Sequence, residues 1–399
     1  HLTTPKHYAY LRISVGCNWK CGYCAIPLIR GGHVSVPMER LEEEARKLAA
    51  GGVKELIVIA QDTTYYGLDL YGRRMLAELL RRLCRIGGIE WIRLHYAYPT
   101  AFPDEVIEVM ASEPKICKYL DIPFQHISDA QLSAMQRRHT KADAYALIGR
   151  LRGAIPDLAL RTTLLVGYPG ETQADFAELE QFVRDVRFER LGVFAYSEEE
   201  GTYSAQKLQD NVPEEVKQQR VERIMALQNE ISLENNLRRV GRTERVLIDS
   251  RQGDYYVGRT QYDSPEVDQE ILIPASEKRL LRGRFYDVRI DSAADYDLYR
   301  DPMAEKSVIT NIENRIRQLM DDHKRLSDQC AELTAQRDSL KAENRTLQER
   351  IRELDGELSR MQLTEGLAGG SRNRDKARAR VNRLMREVDK CIALLGRPE

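Results

Sequence analysis

Six β-rich runs separated by helical stretches between residues 8 and 197 restrict the fold of this chain more than any other feature. The runs are YAYLRISVG (8–16), ELIVIAQD (55–62), WIRLHYAY (91–98), KYLDIPFQH (118–126), LALRTTLLVGYP (158–169) and ERLGVFAYS (189–197). Helical patterns such as MERLEEEARKLAAGG and RRMLAELLRRLCRIGG lie between them, each closing on glycines that suit a helix C-terminus. Strand and helix alternating at this spacing predict a parallel sheet. Six such units predict an α/β fold, a partial (β/α)6 TIM-like barrel with its chemistry at the C-terminal ends of the strands.

The pattern changes after the last run. A long helical segment covers about 213–239, and residues 243–299 then carry short alternating runs typical of a small all-β OB-like barrel. That segment has twelve acids against eight bases, a net of −4. A module of this type that grips RNA is expected to be basic, so the count predicts a basic partner instead. From Met303 a heptad sets in: Ile312, Leu319, Leu326, Leu333, Leu340, Leu347, Leu354 and Met361 recur every seven residues, which predicts a coiled coil. Asn344 at an offset position favours a parallel dimer. GLAGGS (366–371) breaks the coil, and a short basic helix follows. The expected domains are 1–235, 236–302, 303–365 and 371–399.

A formal charge of −1 from 61 basic and 62 acidic residues argues against a protein that coats nucleic acid or anionic membrane over its whole surface. No window approaches the roughly 18 uninterrupted apolar residues of a membrane span, so no membrane partner is expected. Seven cysteines, three of them crowded into eight residues, point to a metal role in a reducing, cytoplasmic compartment and away from a disulfide framework. The chain opens on His1 and not Met, which predicts that its natural start lies upstream.

The crowded set is Cys17-x3-Cys21-x2-Cys24, just after the first run and at the predicted mouth of the barrel. Three thiolates on one short loop can hold three irons of a 4Fe–4S cluster and leave the fourth open. The open iron can chelate the amino and carboxylate groups of S-adenosylmethionine. An electron from the cluster then splits the sulfonium and frees a 5′-deoxyadenosyl radical. The alternative is a structural zinc site, which needs a fourth ligand; His33 is the nearest histidine in sequence.

The cysteine spacing, with Tyr23 before the last cysteine, resembles the signature of the radical S-adenosylmethionine superfamily. VKELIVIAQDTTYYG (53–67), YLDIPFQHISDAQLSAMQRRHT (119–140), LRTTLLVGYPGET (160–172) and RFERLGVFAYSEEEGTYSA (187–205) resemble the methylthiotransferases, and the QDT and QH phrases resemble the RimO branch. The resemblance covers about residues 5–301, the small barrel matching the TRAM domain of that family. It implies methylthiolation of the β-carbon of one aspartate in small-subunit ribosomal protein S twelve. One S-adenosylmethionine would supply the methyl group and a second the radical that attacks an unactivated carbon. An electron donor such as flavodoxin is implied as partner. By the same resemblance Gln61 contacts the methionine moiety, Arg161 pairs with the cofactor carboxylate or ribose, and Gly167 lets backbone approach the adenine. Each has a plainer reading: a strand-end amide, a structural ion pair, a turn glycine. Gln125 and His126 face the mouth if the fourth run ends there.

Two departures from that pattern stand out. The family carries a preceding domain whose three cysteines hold a second, sulfur-donating 4Fe–4S cluster, and Cys84, Cys117, Cys330 and Cys391 are too scattered to replace it. The expectation is a fragment able to cleave S-adenosylmethionine without completing the transfer. Val36 stands where the family commonly has an arginine between serine and proline. Competing readings are a transfer-RNA methylthiotransferase of the MiaB branch, and a coiled-coil scaffold carrying a truncated enzyme, whose tail is expected to dimerise.

Overall fold

In the computed structural model the described residues are 4–300 and scattered positions between 324 and 386. The chain forms two compact units, His1–Glu305 and Lys306–Glu399. Most of the coiled-coil prediction over 303–365 lies outside the described residues. In the second unit residues 378–386 are helical, within the predicted basic helix.

The first unit begins with β1 (Tyr8–Arg12), β2 (Ser14–Val15), α1 (Ile26–Arg30), β3 (Val34–Ser35), α2 (Met38–Ala50), β4 (Glu55–Ile59), α3 (Leu68–Tyr71), α4 (Leu76–Cys84) and β5 (Trp91–Leu94). It continues with α5 (Asp104–Ser112), β6 (Ile116–Asp121), α6 (Asp129–Ala134), α7 (Lys141–Ala154), β7 (Ala159–Val166), α8 (Gln173–Val186), β8 (Arg190–Ala195), α9 (Tyr203–Lys207) and α10 (Glu214–Leu237). The strands β1-β4-β5-β6-β7-β8 form one parallel sheet in that order, as the alternation of the sequence predicts. The helices start where local chemistry allows. Thr140 caps α7 and Thr172 caps α8, each closing a reciprocal box with the aspartate three residues on.

Side chains alternate across a strand, and here the two sets meet different layers. Leu11, Val58, Leu94, Leu120, Leu160 and Val166 pack with the helices in one apolar core. The opposite set (Tyr8, Glu55, Arg93, Tyr119, Arg161 and Arg190 among it) faces the concave side. Its lower part meets the second sheet, built from β9 (Thr243–Gln252), β10 (Tyr255–Arg259), β11 (Ile271–Pro274), β12 (Phe285–Arg289), β13 (Ser292–Ala293) and β14 (Leu298–Tyr299). That sheet runs β12-β9-β10-β11-β14-β13 and curls around Val246, Ile248, Ile273 and Ile290.

The junction is apolar at Trp91, Tyr119, Leu247 and Phe285 and ionic around them. Glu55 accepts from Arg93 Nε and Arg259 Nη2, both at 2.7 Å, and all three side chains are buried. Arg259 also holds Asp249, Arg190 pairs with Asp263, and Arg239 pairs with Glu244. This changes the meaning of the acidic count. Asp249, Asp263 and Asp268 sit in internal ion pairs, while Lys278, Arg279, Arg282 and Arg284 are exposed on one loop. A net of −4 therefore does not describe an acidic docking face.

Candidate radical active site

The three cysteines lie on the loop from β2 to α1, and the loop is held before any cofactor arrives. Gly16 takes φ +79, and a Cβ there would overlap the Gly32 carbonyl oxygen, so only glycine fits. Cys17 N–H donates to Gly31 O at 3.1 Å, and His33 N–H to the Asn18 side chain at 2.9 Å. Trp19 Nε1–H donates to Asp62 at 2.7 Å, and the indole stacks on Tyr98 with centroids 4.2 Å apart. Gly22 N–H donates to Met135 O at 2.8 Å. The loop is thus tied to the segments following β4, β5 and β6, at the C-terminal end of the sheet where the sequence predicts chemistry.

All three thiols are free and half-buried. Burial pushes the Cys17 thiol up to about 11 and raises that of Cys24, so the ligating thiolates form as metal binds. Among the described residues no three His, Cys, Asp or Glu side chains are gathered closely enough to hold one metal ion. A structural zinc needs a fourth ligand beside the three thiols, whereas a 4Fe–4S cluster held by three cysteines leaves one iron open. His33, the sequence candidate for a fourth zinc ligand, turns its Nε2 to Ser35 at 3.2 Å and Asp69 at 3.9 Å instead. The donor set fits a cluster better than an ion.

A buried cation completes the fit. Arg137 lies beside Cys21, 3.8 Å from its sulfur, and covers the Tyr98 ring at 4.3 Å. Tyr98 Oη is also 3.8 Å from Cys21 Sγ. A positive charge with aromatic walls suits thiolates carrying iron.

The remaining predicted residues divide. Gln61 is half-buried just past β4, and its Oε1 is a buried acceptor with no hydrogen-bond partner among the described residues. Arg161 lies near the start of β7, with Asp121 at 3.4 Å and Asp268 of the small barrel at 3.5 Å, so its guanidinium is engaged by protein carboxylates. Gly167 has φ +72, and a Cβ would overlap the Lys217 side chain of α10. Its N–H donates to Glu171, so the glycine answers to a tight internal approach. Gln125 keeps a half-buried place at the mouth with φ +68, a left-handed backbone held by β7. His126 does not face the mouth: it is buried, 3.6 Å from Glu171, and its Nδ1 accepts from Ser128 N–H. Val36 packs against the apolar core.

Sequence reading missed Trp19, Asp62, Tyr98 and Arg137. Trp19 lies inside the cysteine spacing and Asp62 inside the QDT phrase, which were usable signals. Arg137 is one of two adjacent arginines, and nothing in the pattern separates it from the exposed Arg138. Above Arg161 the concave face opens, walled by Tyr10, Tyr96 and Phe194, which are 38%, 47% and 61% exposed.

The radical SAM superfamily matches residues 11–183 and the TRAM domain residues 240–301. The chain is similar to the ribosomal protein uS12 methylthiotransferase RimO of Christiangramia forsetii, at 57% identity over 301 residues, 75% of this chain and 67% of that one. The RimO protein of Phocaeicola vulgatus is 55% identical over 298 residues, 75% of this chain and 69% of that one. Among solved structures, coproporphyrinogen III oxidase (HemN) from Escherichia coli aligns over 65% of this chain and 68% of that one, at 18% identity and a TM-score of 0.44. With a three-cysteine loop at the mouth of a six-stranded parallel sheet and a TRAM sheet beneath it, the chain belongs to the RimO family of radical SAM methylthiotransferases.

Proposed function

We propose that this chain carries the radical half of the methylthiolation of the β-carbon of one aspartate in ribosomal protein uS12. It uses Cys17, Cys21 and Cys24 to hold a 4Fe–4S cluster, while the transferred sulfur comes from a second cluster that these three cysteines do not provide. The observation that carries this reading is the 57% identity to a relative named for that reaction, in a chain whose three free thiols share one mouth. When bound, such a cluster holds S-adenosylmethionine on its open iron and supplies the electron that cleaves the sulfonium.

This chain's residues do the rest. Gly16, Trp19 and Asp62 fix the loop, so that little ordering remains when iron arrives. Gln61 offers its unpaired oxygen to the bound cofactor. Tyr10, Tyr96 and Phe194 present apolar surface to the incoming side chain and exclude water, which protects a radical from quenching. An unactivated C–H bond has no acidic proton, so a general base has no part in the step. We assign the electron to a small carrier such as flavodoxin, consistent with exposed Lys20 within the loop and Arg30 at the end of α1. No described helix is long and apolar enough to cross a membrane. We infer a cytoplasmic site of action, supported by the ribosomal client. The heptad of the tail is read as a dimerising rod, and light scattering on the full chain tests it.

The deciding experiment incubates anaerobically reconstituted protein with S-adenosylmethionine, reductant and recombinant uS12. The parent is expected to release 5′-deoxyadenosine and Cys21→Ala none. Mass spectrometry reads the client for one added methylthio group. Equal 5′-deoxyadenosine from parent and Cys21→Ala would refute the cluster assignment.

A further inference from the structure

Arg137 follows α6 and is only 8% exposed. Its Nη1 donates toward Cys21 Sγ at 3.8 Å and Tyr23 Oη at 3.4 Å, and its Nη2 donates to the Pro123 carbonyl. Its Nε has no hydrogen-bond partner among the described residues. The acidic groups it touches are Cys21, Tyr23 and Tyr98, and among the described residues it forms no ion pair with a carboxylate. The other buried arginines differ: Arg93 and Arg259 share Glu55, and Arg220 meets Glu171. A buried cation without an opposite charge is costly, so the site is built to receive one. Cys21 is the group beside it that becomes anionic when iron binds.

We propose that Arg137 is the counter-charge of the cluster, acting at the Cys21 thiolate to make the cluster easier to reduce. The inference rests on the assignment of Cys17, Cys21 and Cys24 as ligands. Reduction adds an electron to a group already carrying thiolate charge. A fixed cation in a low-dielectric pocket favours the more negative state, and net charge and hydrogen bonds to sulfur are established controls of cluster potential. Arginine is suited to this because it stays protonated while buried. Tyr98, between the guanidinium and Trp19, keeps water out of the contact.

The test is a redox titration followed by electron paramagnetic resonance on the reconstituted full chain, without S-adenosylmethionine. Arg137→Gln keeps donors and loses charge; Arg137→Lys keeps charge. The reduction equilibrium is expected to fall at least about tenfold in Arg137→Gln, about 59 mV for one electron, and to stay within about threefold of the parent in Arg137→Lys. A potential unchanged in Arg137→Gln, or equal shifts in both variants, would overturn the proposal. Should the glutamine variant fail to assemble a cluster while the lysine variant succeeds, the requirement for charge is supported. Failure of both marks Arg137 as packing only and also overturns it. A parent lacking the cluster signal would instead refute the ligand assignment.

Discussion

Glu55 and His95 join the two sheets of the first unit through single side chains. Burial alone would push the Glu55 carboxyl up, but Arg259 and Arg93 outweigh it and hold the group below its ordinary range. Removing it leaves two buried guanidinium groups short of a partner. Glu55→Ala is therefore expected to lose about 3–5 kcal/mol in urea unfolding at neutral pH. Because the folded value is depressed, this contribution is present above the ordinary carboxyl pKa and is lost as pH falls through the folded one. His95 works in the same direction at higher pH. Burial, then Arg93, lowers it from 6.5 to about 3, and its Nε2 lies 2.9 Å from Ser264 Oγ of the small barrel. Between those values the unfolded chain holds a proton that the native ring does not, so acidification destabilises by up to about 1.4 kcal/mol per pH unit. Asp121, pushed up to about 6 by burial, opposes this below pH 6, so the slope is read above it. His95→Gln should flatten the dependence of the unfolding midpoint between pH 7 and 6, and an unchanged slope would sink the assignment.

At the scale of the element, the cysteine loop is a clasp whose rigidity comes from contacts far apart in sequence. Gly16→Ala forces a side chain against the Gly32 carbonyl at φ +79. The expected outcome is loss of iron at unchanged far-ultraviolet circular dichroism, because the strands on either side keep their own ladders. Trp19→Ala removes the Asp62 bond and the Tyr98 stack, and should lower iron occupancy less severely, with recovery in Trp19→Phe limited to the stacking part. The strands and helices of this region were legible in the sequence, since period and punctuation are local properties. So was the cysteine set, whose spacing is itself the signal. Orientation was not. His126 and Gln125 are neighbours in a run whose end the sequence does not fix, and a shift of one residue decides which of them faces the mouth. Arg161 was equally opaque, because its partner Asp268 is more than a hundred residues away.

At the scale of the molecule, the small barrel docks by buried ion pairs as well as by apolar contact. Charge counting in the sequence cannot separate acids that face solvent from acids that face an arginine of another domain. Asp263 belongs to the second kind, paired with Arg190 of the parallel sheet, while Asp249 is held by Arg259 of its own barrel and by His7 from the other domain. One consequence is thermodynamic: the parallel sheet and the small barrel should unfold together. Calorimetry on the full chain is expected to show one transition for this unit, shifted as a whole by Arg259→Met, and two resolved transitions for the sheets would contradict it. The parallel sheet itself stops at six strands, with β1 and β8 at its two edges and no pairing between them among the described residues. A closed eight-stranded barrel fills its interior with side chains. Six strands leave a slot along one side, bounded below by the small barrel and open at the mouth. Such a slot admits a loop that remains attached to a folded body, so the client need not be threaded or unravelled. The modification is then compatible with a time after the client's own folding is finished.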